Sequence, residues 1–359
     1  MSTVYDARIE RVLCNMEQEG LSQILVTSTA SVYYLTGVWV EPMERLLAFY
    51  LDDSGRRILF GNDLFGLQPA AGRELFLHND SDDPLRDIVR LVKPGKIGID
   101  KAWPSRFLIS LLNKRPDCVP ALGSAPVDKA RMRKDAEEIE ALRRASKIND
   151  SVVAAAIDAV REGAIESQLA AFVEEKFREA GAGRGHGQLV CFGPNGADPH
   201  HEPNQTVVRN GDSIVFDIFI PIPYYWCDMT RTVFFRSASD EAHRVYETVR
   251  AANLAAEAVI RPGVPMREFD HAAREVIEKA GYGPYFTHRL GHGIGLECHE
   301  PPDNSSVSEV IAEPGMVFSV EPGIYLPGKL GVRIEDLVLV TETGCEVLNA
   351  YSKDLQIVG

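Results

Sequence analysis

The chain has 359 residues, 45% of them hydrophobic and 25% charged. This is the make-up of a globular protein of about two domains. A formal net charge of −14 argues against nucleic acid and anionic membrane surfaces as partners, since both attract clustered Lys and Arg. No apolar run reaches the roughly 18 residues of a membrane-spanning helix, and MSTVYDARIERVL carries charges where a signal peptide has its apolar stretch, so a cytoplasmic protein is expected.

Ile9, Val12, Leu13 and Met16 recur at helical spacing, which predicts a helix over 4–19 stopped at Gly20, followed by a buried strand at QILVT, 23–27. LLAFYL, DDSG and RRILF read as strand, turn and strand, KIGID at 96–100 as a further strand, and Pro104 as the start of a helix. This first part is therefore α/β. Between about Asp128 and Gly163 the chain turns charged and helical. Asp135 and Glu138 have the capping-box spacing, and Ile139, Leu142, Ala145, Ile148, Val152 and Ala156 form one stripe. The stripe is short and alanine-rich, which favours packing inside its own domain over a coiled-coil arm. This helix marks the junction between a domain of residues 1–130 and one of residues 131–359. Helices at about 166–180, 239–260 and 265–280 then alternate with pairs of β-rich runs. Six cysteines without CxxC spacing fit a reduced compartment.

Those β-rich runs carry acids at suggestive spacings. In SIVFDIFIPIPYYWCDMTRTVFF, Asp217 and Asp228 flank IPIP, and a hairpin turning at Ile222-Pro223 makes them direct cross-strand neighbours. In VFSVEPGIYLPGKLGVRIEDLVLV, a turn at Pro327-Gly328 sets Glu321 against Glu335. Each acid is embedded among apolar residues, where an unpaired charge is costly, and two carboxylates about 5 Å apart on one face need a multivalent cation between them. His292 lies in HRLGHGIGLECHEPP with His288 and His299 nearby, bracketed by glycines that keep the backbone open around it. Four carboxylates and one imidazole suit Mn, Co, Fe or Zn and suffice for two ions, with no Cys ligand needed.

This ordered set resembles the pita-bread metallopeptidases, a family that includes Xaa-Pro dipeptidase, aminopeptidase P and methionine aminopeptidase, and the resemblance covers nearly the whole chain. It implies a creatinase-like α/β N-terminal domain, with SVYYLTG at 31–37 as its early segment, and an α+β pita-bread catalytic domain. It implies that Asp217 chelates one divalent ion, that His292 and Glu321 hold the other, and that Asp228 and Glu335 bridge both, with Mn2+ as the expected metal. His200 and His299 are implied as catalytic histidines, Glu321 as the general base, and His288 and Arg333 as substrate-binding residues of the proline-specific branch. The implied activity is hydrolysis of the bond before proline in small peptides. The first expectation is Xaa-Pro dipeptidase, the alternative aminopeptidase P acting on longer peptides, and a non-catalytic binding protein the remote third, since it would have lost ligands. A homodimer is also implied; Trp39, in the loop after YYLTG, is expected to pack at the surface, the alternative being that it caps a partner's site as N-terminal loops do in dimeric relatives. One departure stands out. Where the family has Gly two residues after the first Asp and Gly-Tyr before the second, this chain has Phe219 and Tyr224-Tyr225. Tyr224, Tyr225 and Trp226 could line a pocket for the proline ring or pack within the sheet, and both readings stay open here.

Overall fold

The computed structural model describes residues 4–182 and 187–359; the first three residues of the expected N-terminal domain lie outside them. The chain divides into two compact units, Met1–Arg131 and Met132–Gly359.

In the first unit, α1 (Val4–Gln18) ends at Gly20, whose φ of 60° suits a residue without a Cβ. A six-stranded mixed sheet follows in the order β4-β3-β2-β1-β5-β6, formed by β1 (Gln23–Val26), β2 (Ala48–Asp52), β3 (Arg57–Asn62), β4 (Glu74–His78), β5 (Gly95–Ile99) and β6 (Cys118–Leu122). Helices α2 (Thr29–Thr36), α3 (Arg86–Leu91), α4 (Ser105–Lys114) and α5 (Ala125–Met132) complete it. The SVYYLTG segment is thus helical. Leu25, Tyr50, Ile58, Ile97 and Leu111 share one core, each such burial contributing about 1.5–3 kcal/mol.

The second unit opens on α6 (Ala136–Asp158). Its predicted capping box is present: Asp135 accepts from the amides of Glu137 and Glu138, and the Asp135 amide donates to Glu138 Oε2 at 3.0 Å. Leu142, Ala145, Val152 and Ala156 are buried, and Asn149 Nδ2 donates to Ile218 O at 2.9 Å. The helix therefore packs within its own unit. After α7 (Glu166–Glu179), strands β7 (Gln188–Phe192), β8 (Ser213–Pro221) and β9 (Trp226–Phe235) build an antiparallel sheet. Helices α8 (Asp240–Val259) and α9 (Arg267–Lys279) precede β10 (Gly291–Gly293), β11 (Glu300–Asn304), β12 (Val317–Val320), β13 (Gly323–Leu326), β14 (Leu330–Arg333), β15 (Asp336–Val340) and β16 (Cys345–Val347). A last strand, β17 (Ile357–Val358), adds to β9, giving the order β17-β9-β8-β7 beside a second sheet β11-β10-β12-β15-β16 and the ribbon β13-β14. One core packs α6 and α7 on β7–β9, the other α8 and α9 on β12–β15.

Candidate metal centre

The first hairpin differs from the expected register. Asp217 stands opposite Thr230, and Asp228 opposite Phe219, so the two aspartates are diagonal neighbours on one face rather than directly opposed. The ladder runs on through Pro221, paired with Trp226, because the Trp226 amide donates to Gly295 O at 2.8 Å and that rung asks for no proline N–H. The turn consequently moves one step, to Ile222–Tyr225.

The second hairpin keeps the predicted register on both sides of a gap. Val320 pairs with Asp336 before it and Gly323 with Arg333 after it, with Gly328 at φ 72° in the turn. Glu321 and Glu335 fall opposite one another within the gap. There the backbone finds other partners: the Glu321 amide donates to Leu290 O at 2.8 Å and the Glu335 amide to Thr230 O at 3.1 Å. This brings β9 and the two glutamates together.

His292 sits mid-strand in β10, between β11 and β12. Its flanking glycines serve close strand approach: a Cβ at Gly291 would collide with Ser319 O, and one at Gly293 with Glu300 O. The His292 amide donates to Ser319 Oγ (3.0 Å), which itself donates to Glu321 Oε1 (3.1 Å).

The donor atoms of Asp228, His292 and Glu335 lie within 4.8 Å of one another, all buried. His292 Nδ1 is 3.2 Å from Gly293 O, an acceptor only, so Nδ1 carries the hydrogen. Burial, with His299 adding, pushes the His292 pKa down to about 3. The ring is neutral, and its bare Nε2 faces Glu321 Oε1 at 3.4 Å and Asp228 Oδ2 at 3.7 Å. With these carboxylates ionised, lone pairs would point at lone pairs. Asp228 Oδ1 and Glu335 Oε1 are moreover buried without a hydrogen-bond partner among the described residues. Burial and mutual repulsion push the Asp228 and Glu335 carboxyls well above the usual range, and burial, with the charge of Asp217, raises Glu321 to about 7. Such a set fits a cation, which turns every one of these mismatches into a bond.

Asp217 is 8% exposed, and its two oxygens meet Arg333 Nη2 at 2.6 Å and Thr230 Oγ1 at 3.1 Å. Thr230 also reaches Glu335 Oε2 at 2.7 Å and accepts from Arg333 Nε at 3.1 Å. A hydroxyl has one proton to give, so it can donate to only one of the two carboxylates at a time. Arg333 Nη1 donates to Tyr325 OH (2.9 Å), which lies 2.8 Å from His288 Nε2, while His288 Nδ1 faces Arg289 O at 2.7 Å. Burial and Arg333 lower His288 to about 4, so it too is neutral. The His299 ring lies 4.1 Å from that of His292, edge to face. His200 is exposed but close enough for its charge to depress His288 and His299. The aromatic trio divides: Tyr225 is buried with its hydroxyl 3.1 Å from Glu138 Oε1, Trp226 stacks on Phe219, and Tyr224 is partly exposed. Thr230, Ser319 and Tyr325 escaped the sequence reading, although the first two stand two positions from a ligand on the same strand face.

The model of metallopeptidase family M24 matches residues 140–342, and that of a creatinase/prolidase N-terminal domain residues 8–133. This chain belongs to metallopeptidase family M24. The M24 chain is 33% identical over 355 residues to an uncharacterized peptidase of Staphylococcus aureus, covering 96% of this chain and 99% of that one. Its structure is similar to that of recombinant prolidase from Thermococcus sibiricus, with a TM-score of 0.93, 33% identity and full coverage of both chains. The X-Pro aminopeptidase of Thermotoga maritima is also similar, with a TM-score of 0.85 and 30% identity over 98% of this chain and 99% of that one. The M24 protein is thus a divalent-metal peptidase of the pita-bread fold, with a creatinase-type domain before it.

Proposed function

We propose that this M24 peptidase is an Xaa-Pro dipeptidase, hydrolysing the amide before a C-terminal proline with two divalent ions. The observation that carries the reading is the bare His292 Nε2 facing the Asp228 and Glu321 carboxyl groups, beside Asp228 Oδ1 and Glu335 Oε1, two buried oxygens without a hydrogen-bond partner among the described residues. The neighbour named a prolidase, similar over its full length, supports the substrate class. Asp217, Asp228, His292, Glu321 and Glu335 would hold the ions. Mn2+ suits four carboxylates and one imidazole, and six free cysteines suit a reduced, cytoplasmic setting. A homodimer, and the division into domains 1–130 and 131–359, belong to the same reading.

Bound divalent ions would contribute Lewis acidity at the substrate carbonyl and a lowered pKa of the attacking water. The chain's residues do the rest. Glu321, with a carboxyl near neutrality and held by Ser319, takes a proton at a carboxylate oxygen and returns it to the leaving nitrogen. His299 and His200 donate N–H groups to the developing oxyanion and the leaving group. His288 has both nitrogens engaged and offers its ring to the pyrrolidine. Arg333 retains N–H groups beyond those on Asp217, Thr230 and Tyr325 for the substrate carboxylate.

The test is release of free amino acid by metal-stripped protein, with and without Mn2+, from an Xaa-Pro dipeptide and an Xaa-Pro-Xaa tripeptide. Metal-dependent cleavage of the dipeptide is expected. Preference for the tripeptide would assign an aminopeptidase instead, and cleavage of neither would overturn the reading.

A further inference from the structure

Beyond the ligands themselves lies a buried ionic cluster outside the active-site face. Lys353 Nζ stands 2.6 Å from Glu257 Oε1, 2.8 Å from Asp336 Oδ2 and 2.7 Å from Asn253 Oδ1. Arg231 Nη2 donates to the other Asp336 oxygen at 2.7 Å. Two cations balance two carboxylates, and the Arg231 and Asp336 side chains are 1% and 0% exposed. A buried arrangement of this kind is weak evidence for stability, because desolvation offsets most of the attraction. Its geometry suggests another use.

Asn253, held by Lys353, donates through Nδ2 to Val320 O at 3.0 Å and to Ile334 O at 3.5 Å. These are the carbonyls immediately before Glu321 and Glu335. Arg231 Nη1 donates to Glu335 O at 2.6 Å, while its Nη2 also reaches Tyr351 O at 2.8 Å. The contacts therefore converge on the gap between the β12–β15 and β13–β14 ladders, where strand pairing does not fix the two glutamates. Lys353 and Tyr351 lie past residue 342, beyond the stretch matched by the M24 family model.

We propose that Lys353 is a positioning residue for the metal centre: acting through Asn253 and Asp336, it sets the peptide groups that aim Glu321 and Glu335. This rests on the metal reading of the centre. Groups behind the ligands typically govern metal affinity by about 10–100-fold. The prediction for Lys353→Met is accordingly a metal site weakened by about tenfold or more in a protein that still folds.

The metal-free forms of the wild type, Lys353→Met, Lys353→Arg and Asn253→Ser would be titrated with Co2+. Affinity would be read by chelator competition, ligand geometry from the visible absorption bands, and folding from circular dichroism melts. The expected result is weakened Co2+ binding with altered bands for Lys353→Met and Asn253→Ser, and recovery to within about threefold of wild type for Lys353→Arg. Wild-type binding by a folded Lys353→Met protein overturns the proposal, as does equal impairment of Lys353→Arg. Should Lys353→Met not fold, Asn253→Ser decides by the same criterion, and if neither folds the cluster serves stability alone and the proposal falls. A wild-type protein that takes up no Co2+ would instead remove the metal reading, and this inference with it.

Discussion

Thr230 shows how much one hydroxyl can organise. It touches Asp217, Glu335 and Arg333 at once. Thr230→Val keeps the shape and removes the hydroxyl, leaving buried polar groups short of a partner. The expected outcome is metal affinity lowered by about 10–100-fold and a metal-free protein less stable by about 1–3 kcal/mol, measured by chelator competition and denaturant titration. The raised carboxyls of Asp228, Glu335 and Glu321 give a second prediction. At pH 7 the metal-free centre holds protons that a bound cation must displace, so metal binding releases protons. Calorimetry in two buffers of different ionisation enthalpy should show different apparent heats; identical heats would contradict it. Of the candidate site, the four acids were legible because each stands out against an apolar run, as Asp217 does between Phe216 and Ile218, and His292 because glycines bracket it. Thr230, Ser319 and Tyr325 were not, since a hydroxyl on a strand is unremarkable until the fold brings an acid to it.

At the level of elements, α6 and both hairpins could be read from capping, periodicity and turn residues. The error of register in the first hairpin came from treating Pro221 as outside the ladder, when the partner amide it would have faced is taken by Gly295. Nothing local to the IPIP segment reveals Gly295. The glycines around His292 were visible, but their purpose depends on Ser319 and Glu300, each on a different strand. Gly293→Ala places a Cβ against Glu300 O and the Pro301 backbone. We expect a loss of about 1–3 kcal/mol in thermal or denaturant unfolding, with reduced metal uptake; an unchanged melt would show that the strands can part without cost. At the junction helix, Asp135→Ala removes the capping box and should destabilise the protein by about 1 kcal/mol.

For the whole molecule, the centre couples stability to pH. Glu321, raised from 4.5 to about 7 in the folded state, is ionised in the unfolded chain between those values and protonated in the folded one. The folded state then binds more protons, so this contribution to metal-free stability is present at low pH and is lost as pH rises from about 4.5 to 7. A metal-loaded protein, whose carboxylates are already ionised, should show the opposite trend. Melting temperatures with and without metal across pH 5–8 would reveal the divergence, and parallel profiles would argue that the centre binds no ion. The α/β character of the first unit and the place of the junction helix were legible because they depend on local pattern. The strand orders were not, as β10, β12 and β15 meet across long stretches of chain.

The continuous register on either side of the Glu321–Glu335 gap has a consequence for how this chain can change length. Inserting or deleting one residue inside either arm, between its glutamate and Pro327-Gly328, would slip that arm by a single position and turn its glutamate to the opposite face. Neither arm could absorb the slip, since β12 is locked to β15 and β13 to β14. Tolerated length variants of either arm should therefore come in steps of two.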